Sequence, residues 1–124
     1  EVKTGDLGKE YEDGEVICEQ GEQGNCMYVI QGGQVAIEHT DGDQKATLAT
    51  LGKRDFFGEM AVFEKEPRSA TARAVGRARV LPVDKRTLLR RVQEDPSFAF
   101  RLIQEMSGRI RNLNQKVTQL EDTE

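Results

Sequence analysis

The sequence predicts a mainly β domain that ends in helices, an α+β fold, and three observations lead to this class. Up to about residue 82, apolar and polar residues alternate in short segments, which is typical of half-buried strands. Turn residues, above all glycine, separate the segments. From Asp84 onward the apolar residues recur every three or four positions, which indicates helices. With 124 residues, the chain has the size of one domain that buries a core without disulfides or metal.

The alternation predicts six short strands. Asp41, Gly42 and Asp43 lie between two of them and predict a hairpin turn. Gly32 and Gly33 similarly predict a break between the second strand and the third. Periodicity alone leaves a sandwich, a barrel and a jelly roll open. The six segments are residues 15–19, 26–31, 34–39, 45–51, 70–75 and 78–82.

Two helices are expected after the strands. Asp84 can cap the first, at about residues 84–94, and Asp95 followed by Pro96 ends it and starts the second, at about 96–121. The second is a long amphipathic helix whose a/d spacing predicts pairing with a second copy in a parallel coiled coil, and therefore a homodimer. The alternative is a helix that packs on its own domain, because only about two and a half heptads are present. Its apolar residues are Ile103, Met106, Ile110, Leu113, Val117 and Leu120.

The two cysteines flank a predicted turn. Cys18 and Cys26 lie on either side of residues 22–25, where they could face one another across a hairpin. We expect free thiols instead of a disulfide, because a chain of this size with a β core does not need one.

Composition narrows the class of function. The net charge of −4 argues against direct binding of nucleic acid by this domain. No apolar run is long enough to cross a bilayer and no signal peptide opens the chain, so we expect a cytoplasmic domain without membrane contact. His39 is the only histidine, so no metal is expected. No nucleophile, base and orienting residue form an enzyme motif. A basic cluster is expected to be a solvated face, and it comprises Arg73, Arg77, Arg79, Arg86, Arg90 and Arg91.

The most specific chemistry lies in two short runs. Residues 57–63 read FGEMAVF, and residues 67–73 read PRSATAR. Gly58 lets the backbone approach a ligand closely, and the residues after it can open a short helix whose N–H groups attract an anion. Arg68 offers a planar fork for phosphate oxygens. Glu59 would repel a phosphate, so its carboxylate is interpreted as an acceptor for sugar hydroxyls. Together they predict a site for a sugar phosphate.

These runs resemble the phosphate-binding cassette of the cyclic nucleotide-binding domain. That family includes catabolite-activator-type regulators, protein kinase A regulatory subunits and cyclic-nucleotide-gated channels. Residues 13–17, 20–21 and 27–37 are similar to the glycine-punctuated strands of the family's β-roll. The resemblance covers roughly residues 9–120. It implies an antiparallel β-roll, a jelly roll or double-stranded β-helix, over about residues 8–82, followed by the helices.

The resemblance also implies roles for individual residues. The whole chain, 1–124, would be one cyclic nucleotide sensor domain and not an enzyme. Glu59 would accept the ribose 2′-hydroxyl, and Arg68 would pair with the cyclic phosphate. The other implied contacts are the backbone N–H groups of Gly58 and Ala61, the hydroxyl of Ser69 and an apolar contact of Met60 with moving helices.

The resemblance also bears on which base is bound and on the domain that receives the signal. Where activator-type relatives have consecutive hydroxyl residues, this chain has Leu113 and Asn114, and the Asn114 amide can bond adenine. Cyclic GMP binders often have threonine at the position of Ser69, so cyclic AMP is favoured over a cyclic GMP-selective domain. Arg54 stands where the family often has glycine. The last helix would signal to an output domain outside this chain, in a transcription factor, kinase or channel. The competing alternative is a β-roll without ligand, serving as a structural or protein-interaction module.

Overall fold

The computed structural model describes residues 8–108. It divides into two compact units between Lys85 and Arg86. The strands are β1 (Lys9–Tyr11), β2 (Val16–Cys18), β3 (Cys26–Asp41), β4 (Gln44–Leu51), β5 (Phe56–Phe57) and β6 (Thr71–Asp84). The helices are α1 (Met60–Phe63), α2 (Lys85–Glu94) and a helical segment over residues 96–108. The predicted class, mainly antiparallel β followed by helices, is confirmed.

The first unit is organised around β3 and β6. The strand order is β1-β6-β3-β4, with β2 also paired to β6 and β5 to β3, and every pair is antiparallel. β3 runs alongside β6 over almost its full length, from the pair Cys26 and Asp84 to the pair Glu38 and Thr71. These two strands therefore form the frame on which the shorter elements lie.

The predicted break at Gly32 and Gly33 was wrong, because β3 continues through both residues. The register between β3 and β6 shifts here instead. Gly33 has a φ of +79°, and a Cβ at that position would lie 2.8 Å from the Cα of Ala78. The glycine allows an irregularity within the strand where a larger residue would clash. Gly76, with a φ of +68°, likewise lies inside β6, which was predicted as two strands.

The hydrophobic core of the first unit comes from the inward positions of these strands. Met27, Ile30 and Val35 of β3 are all at most 1% exposed. Because successive side chains of a strand alternate, Met27 and Ile30 lie on opposite faces of β3, and of the three only Ile30 and Val35 belong to the main cluster. The main cluster consists of Cys18, Ile30, Val35, Phe57, Ala72, Ala74, Ala78 and Val80.

The hairpin predicted around Gly42 is confirmed. Asp41 of β3 pairs with Gln44 of β4, so two residues form the turn. Gly42 has a φ of +64°, which the tight turns of β-hairpins require.

Cys18 and Cys26 do not face each other across a hairpin. β2 and β3 each pair with β6, where Cys18 is opposite Ala72 and Cys26 is opposite Asp84. The expectation of a shared hairpin was wrong because β6 takes the place beside each strand. Both cysteines are free thiols, as predicted.

The helices of the second unit begin where the sequence predicted. α2 follows Asp84 directly, and the next helical segment begins at Pro96. The carboxylate of Asp95 accepts a hydrogen bond from the Ser97 N–H at 3.0 Å, which caps this segment. No helix within residues 8–108 is long and apolar enough to cross a membrane. Asn114 and the part of the a/d stripe from Ile110 to Leu120 lie outside the described residues.

Candidate functional site

Arg68 is buried, with only 7% of its surface exposed. It lies in the segment between α1 and β6, and its backbone is held by the turn between β2 and β3. Its N–H donates to the carbonyl of Glu22, and its carbonyl accepts from the N–H of Gly21, both at 2.8 Å. These two bonds fix the position from which the guanidinium extends.

The guanidinium of Arg68 contacts three uncharged groups. Nη1 donates to the carbonyl oxygen of Gly58 at 3.1 Å, and Nη2 donates to Sγ of Cys26 at 3.8 Å. Its Cζ lies 5.3 Å from the centroid of the Tyr28 ring. No ion pair in the part of the chain that the structure describes includes Arg68. Because a buried cation is costly without a negative partner, this arrangement is suited to an anion.

Two glycines provide the space in which the guanidinium lies. A Cβ on Gly58 would lie 2.5 Å from Nη1 of Arg68, and a Cβ on Gly24 would lie 2.5 Å from Cζ. Gly58 also has a φ of +79°, which other residues rarely adopt. Gly58 was predicted to be a site residue, whereas Gly24 was not. The only signal at Gly24 was its place in a glycine-containing turn, more than forty residues before the arginine.

The predicted short helix after Gly58 is present as α1. Glu59 is its N-cap residue, and the Glu59 carbonyl accepts hydrogen bonds from Val62 and Phe63, both at 3.0 Å. The N–H of Ala61 donates to the carbonyl of Gly58 at 3.3 Å. The Gly58 carbonyl therefore receives both this N–H and the Arg68 guanidinium, which brings two predicted ligand donors to one point.

The exposure of the remaining predicted residues differs. Ala61 is 5% exposed and Met60 is 41% exposed. Glu59 is half-buried, whereas Ser69 is exposed. The Ser69 carbonyl accepts a hydrogen bond from Nδ1 of His39 at 3.2 Å, which ties the residue after Arg68 to β3. His39 is exposed, as expected of a solvated polar residue.

Tyr28 lies beneath the guanidinium and was not among the site residues that the sequence predicted. It is paired with Phe57 across β3 and β5, and the two rings stack with centroids 5.2 Å apart and planes 22° apart. Burial raises the pKa of Tyr28 well above its usual range, and a hydrogen bond with Cys26 acts in the same direction. The hydroxyl is therefore protonated at neutral pH and the ring is uncharged.

A cluster of three charged side chains, Glu38, Arg73 and Lys45, connects neighbouring strands. The Glu38 carboxylate is 3.1 Å from Nε of Arg73 and 3.3 Å from Nζ of Lys45. Arg73 also donates to the carbonyl of Gly14 at 2.8 Å. Burial tends to raise the pKa of Glu38, but the hydrogen bonds from Arg73 and Lys45 outweigh it and lower that pKa. The cluster joins β3, β4 and β6.

Two further members of the predicted basic cluster form ion pairs. Arg77 lies 3.7 Å from Glu12, and Arg79 lies 2.7 Å from Glu10. Both arginine side chains are at least 40% exposed, which is typical of a solvated face.

The sequence profile of the cyclic nucleotide-binding domain matches residues 8–95. The chain belongs to this family. The matched range includes the buried arginine, both glycines around it and α1. The resemblance found in the sequence is thereby confirmed.

Curated relatives contain this domain within longer proteins. A Rhodopseudomonas palustris protein provisionally named as a potassium channel is 40% identical over 114 residues, which are 91% of this chain and 27% of that protein. The CRP-like cAMP-activated global transcriptional regulator of Mycobacterium tuberculosis is 28% identical over 108 residues, or 86% of this chain and 48% of that protein. The chain therefore spans less than half the length of either relative.

Solved structures share the fold. The catabolite activator protein of Thermus thermophilus has a TM-score of 0.81 at 31% identity, covering 91% of this chain and 54% of that one. An EAL enzyme in its cAMP-bound form has a TM-score of 0.64 at 29% identity, covering 90% of this chain and 30% of that one. Its cGMP-bound form has a TM-score of 0.63 at 31% identity, with coverages of 84% and 28%.

Proposed function

We propose that this domain senses cyclic AMP and is not itself an enzyme. The buried guanidinium of Arg68, which contacts only uncharged groups within the described residues, carries the proposal. A cyclic phosphodiester is a compact anion with two free oxygens, which matches the donors of a guanidinium fork. Its single negative charge would offset the charge that the fold has buried.

The other cassette residues would hold the sugar and the phosphate. The Glu59 carboxylate would accept a hydrogen bond from the ribose 2′-hydroxyl, which is the role that its charge allows beside an anion. The N–H groups of Gly58 and Ala61 and the hydroxyl of Ser69 would donate to phosphate oxygens. Ala61 and Arg68 both donate to the Gly58 carbonyl, so a phosphate would compete with this oxygen for the two donors. Asn114 would bind the base.

The choice of cyclic AMP has two supports. Ser69 follows the arginine where cyclic GMP binders often have threonine. The Mycobacterium tuberculosis relative is named as cAMP-activated. Since the EAL enzyme has been solved with either nucleotide, a cyclic GMP-selective domain is the alternative.

The signal would pass through α1 and the C-terminal helices. Met60 and Phe63 of α1 are 41% and 50% exposed, which offers an apolar surface for helices that move on binding. A ligand that contacts one arrangement of roll and helices more favourably than another shifts the equilibrium between them. Because the relatives are longer proteins, we place the output in a domain outside these residues. We expect a cytoplasmic protein, with no direct contact of this domain with nucleic acid or membrane.

The C-terminal helix would also form a homodimer. Phe100 and Ile103 are both 62% exposed on the helical segment over residues 96–108. Large apolar side chains exposed on one helix are typical of a surface that pairs with another chain.

Calorimetric titration tests the proposed ligand. Cyclic AMP should bind more tightly than cyclic GMP, and 5′-AMP, whose phosphate is dianionic and not cyclised to the ribose, should bind more weakly than both. Tighter binding of cyclic GMP would contradict the preference for cyclic AMP but not the role of the domain as a cyclic nucleotide sensor. No binding of either cyclic nucleotide at millimolar concentration would contradict the function and favour a β-roll that serves as an interaction module.

A further inference from the structure

The geometry around the buried arginine points to a positioning residue outside the cassette. We propose that Tyr28 holds the guanidinium of Arg68 against the face of its ring, in the place where the phosphate binds. The inference rests on the proposed function, because it assumes that Arg68 binds the ligand. It assigns a role to a residue of β3 that was not among the predicted site residues.

The ring of Tyr28 is a rigid support. The Arg68 Cζ lies 5.3 Å from its centroid, within the distance of about 6 Å at which a cation is attracted to a ring face. Tyr28 in turn stacks on Phe57, which is 5% exposed and belongs to the main core cluster. Because the pairing of β3 and β5 fixes both rings, the guanidinium rests on a surface that cannot easily shift.

An aromatic ring is a suitable support for Arg68, whose charge must stay available to the ligand. A carboxylate in this position would neutralise Arg68 and compete with a phosphate. The face of an uncharged ring attracts the guanidinium without cancelling its charge. The remaining side-chain contacts are one carbonyl oxygen, from Gly58, and one distant sulfur, from Cys26. Tyr28 is therefore the largest surface that orients the fork.

A series of substitutions at position 28 isolates this attraction. Tyr28→Phe keeps the ring and should change the Kd for cyclic AMP by less than about threefold. Phenylalanines carrying one, two and three ring fluorines, incorporated at the same position, withdraw charge from the ring face stepwise. The Kd should rise with each fluorine, and Tyr28→Leu should weaken binding by about 3- to 30-fold. Melting temperatures are recorded for every variant. A purely structural role of Tyr28 would change the melting temperature without a stepwise rise of the Kd with each fluorine.

Tyr11 provides a matched control. Its ring also carries a cation, with Nζ of Lys9 at 5.1 Å from the centroid, but in β1 and not in the cassette. The same fluorinated series at position 11 should leave the Kd for cyclic AMP unchanged. In the background of Arg68→Ala, the series at position 28 should lose its trend, because the ring would have no cation to hold.

The outcomes separate this inference from the proposed function. A Kd that does not change with fluorination, while Arg68→Ala loses affinity, would overturn the role of Tyr28 and leave the sensor intact. Affinity that increases with fluorination would also overturn it, because the ring would then hold the arginine away from the ligand. Unchanged affinity of Arg68→Ala would instead contradict the proposed function itself.

Discussion

The guanidinium of Arg68 donates a hydrogen bond to the carbonyl oxygen of Gly58, ten residues earlier in the chain, at 3.1 Å. The same carbonyl accepts the N–H of Ala61 at 3.3 Å. One backbone oxygen thus connects the start of the cassette, its short helix and its arginine. A ligand that drew the Ala61 N–H away from this oxygen would change a hydrogen bond of α1, and this is the route by which we propose that binding reaches the helix.

Glu59→Gln should weaken binding of cyclic AMP by about 1.5–3 kcal/mol, the usual contribution of a hydrogen bond to a charged group. The variant should also lose the preference for cyclic AMP over its 2′-deoxy analogue, because the carboxylate would bond the missing hydroxyl. Titration of both ligands measures this. Glu64→Gln, at an exposed residue that follows α1, serves as the control. A preference that persists in Glu59→Gln would place the ribose elsewhere.

Arg54→Gly should stabilise the fold. Arg54 has a φ of +80°, and its N–H donates to the carbonyl of Ile30 at 2.8 Å, a bond that glycine retains. The left-handed conformation costs a non-glycine residue about 1–2 kcal/mol, while the freedom of glycine in the unfolded chain costs about 0.5–1 kcal/mol. We expect a net gain of roughly 0.5–1 kcal/mol in urea unfolding. Lys53→Gly, one residue earlier, should destabilise the fold. If both variants lost the same free energy of unfolding, the backbone of Arg54 would not be strained.

Glu38→Gln should lower stability and flatten its dependence on acid pH. Because the pKa of Glu38 is lowered in the folded state, its stabilisation is present at neutral pH and is lost as the pH falls through the folded pKa. Urea unfolding at pH 7 should show a loss of about 1–3 kcal/mol. The difference from wild type should shrink from about pH 5 downward.

Glu12→Gln is the control for Glu38→Gln. The Glu12 side chain is 70% exposed and its ion pair is long. Its substitution should therefore leave nearly unchanged both the free energy of unfolding at pH 7 and its decrease at acid pH. A difference between wild type and Glu38→Gln that stays constant down to pH 3 would show that the carboxylate charge is not responsible.

Ile103→Asp should convert a dimer to a monomer. Ile103 is 62% exposed, and burying such a side chain between two helices contributes about 1.5–3 kcal/mol. Light scattering at micromolar concentration measures the change, with Gln104→Asp as the control because it adds the same charge beside the stripe. A monomeric wild type, with and without cyclic AMP, would contradict the dimer.

Most strands were predictable because their residues alternate, but β1 and β5 were not. β5 has two residues, which is too few for a period to appear, and the three residues of β1, Lys9, Glu10 and Tyr11, show no apolar alternation. Gly33 shows the opposite error. A glycine that ends a strand and a glycine that permits a bulge inside one look alike in sequence, and only the pairing of β3 with β6 distinguishes them.

The cassette was predictable in part for a similar reason. Gly58 and Arg68 lie close together in sequence, so their motif is visible. Gly24, Cys26 and Tyr28 lie at least forty residues before Arg68 in the chain, and only the fold brings them to the guanidinium. Arg54 was noted as a residue in the place of a glycine, and its positive φ gives the physical reason.

The affinity of Arg68→Ala for cyclic AMP, measured by calorimetry, tests the central claim most directly. The side chain removed is a buried cation with uncharged partners, so the fold should persist while binding weakens by about 2–4 kcal/mol. Arg77→Ala, at a side chain that is 69% exposed, should bind as wild type does. If Arg68→Ala is folded and binds cyclic AMP as tightly as wild type, the assignment of this site is contradicted.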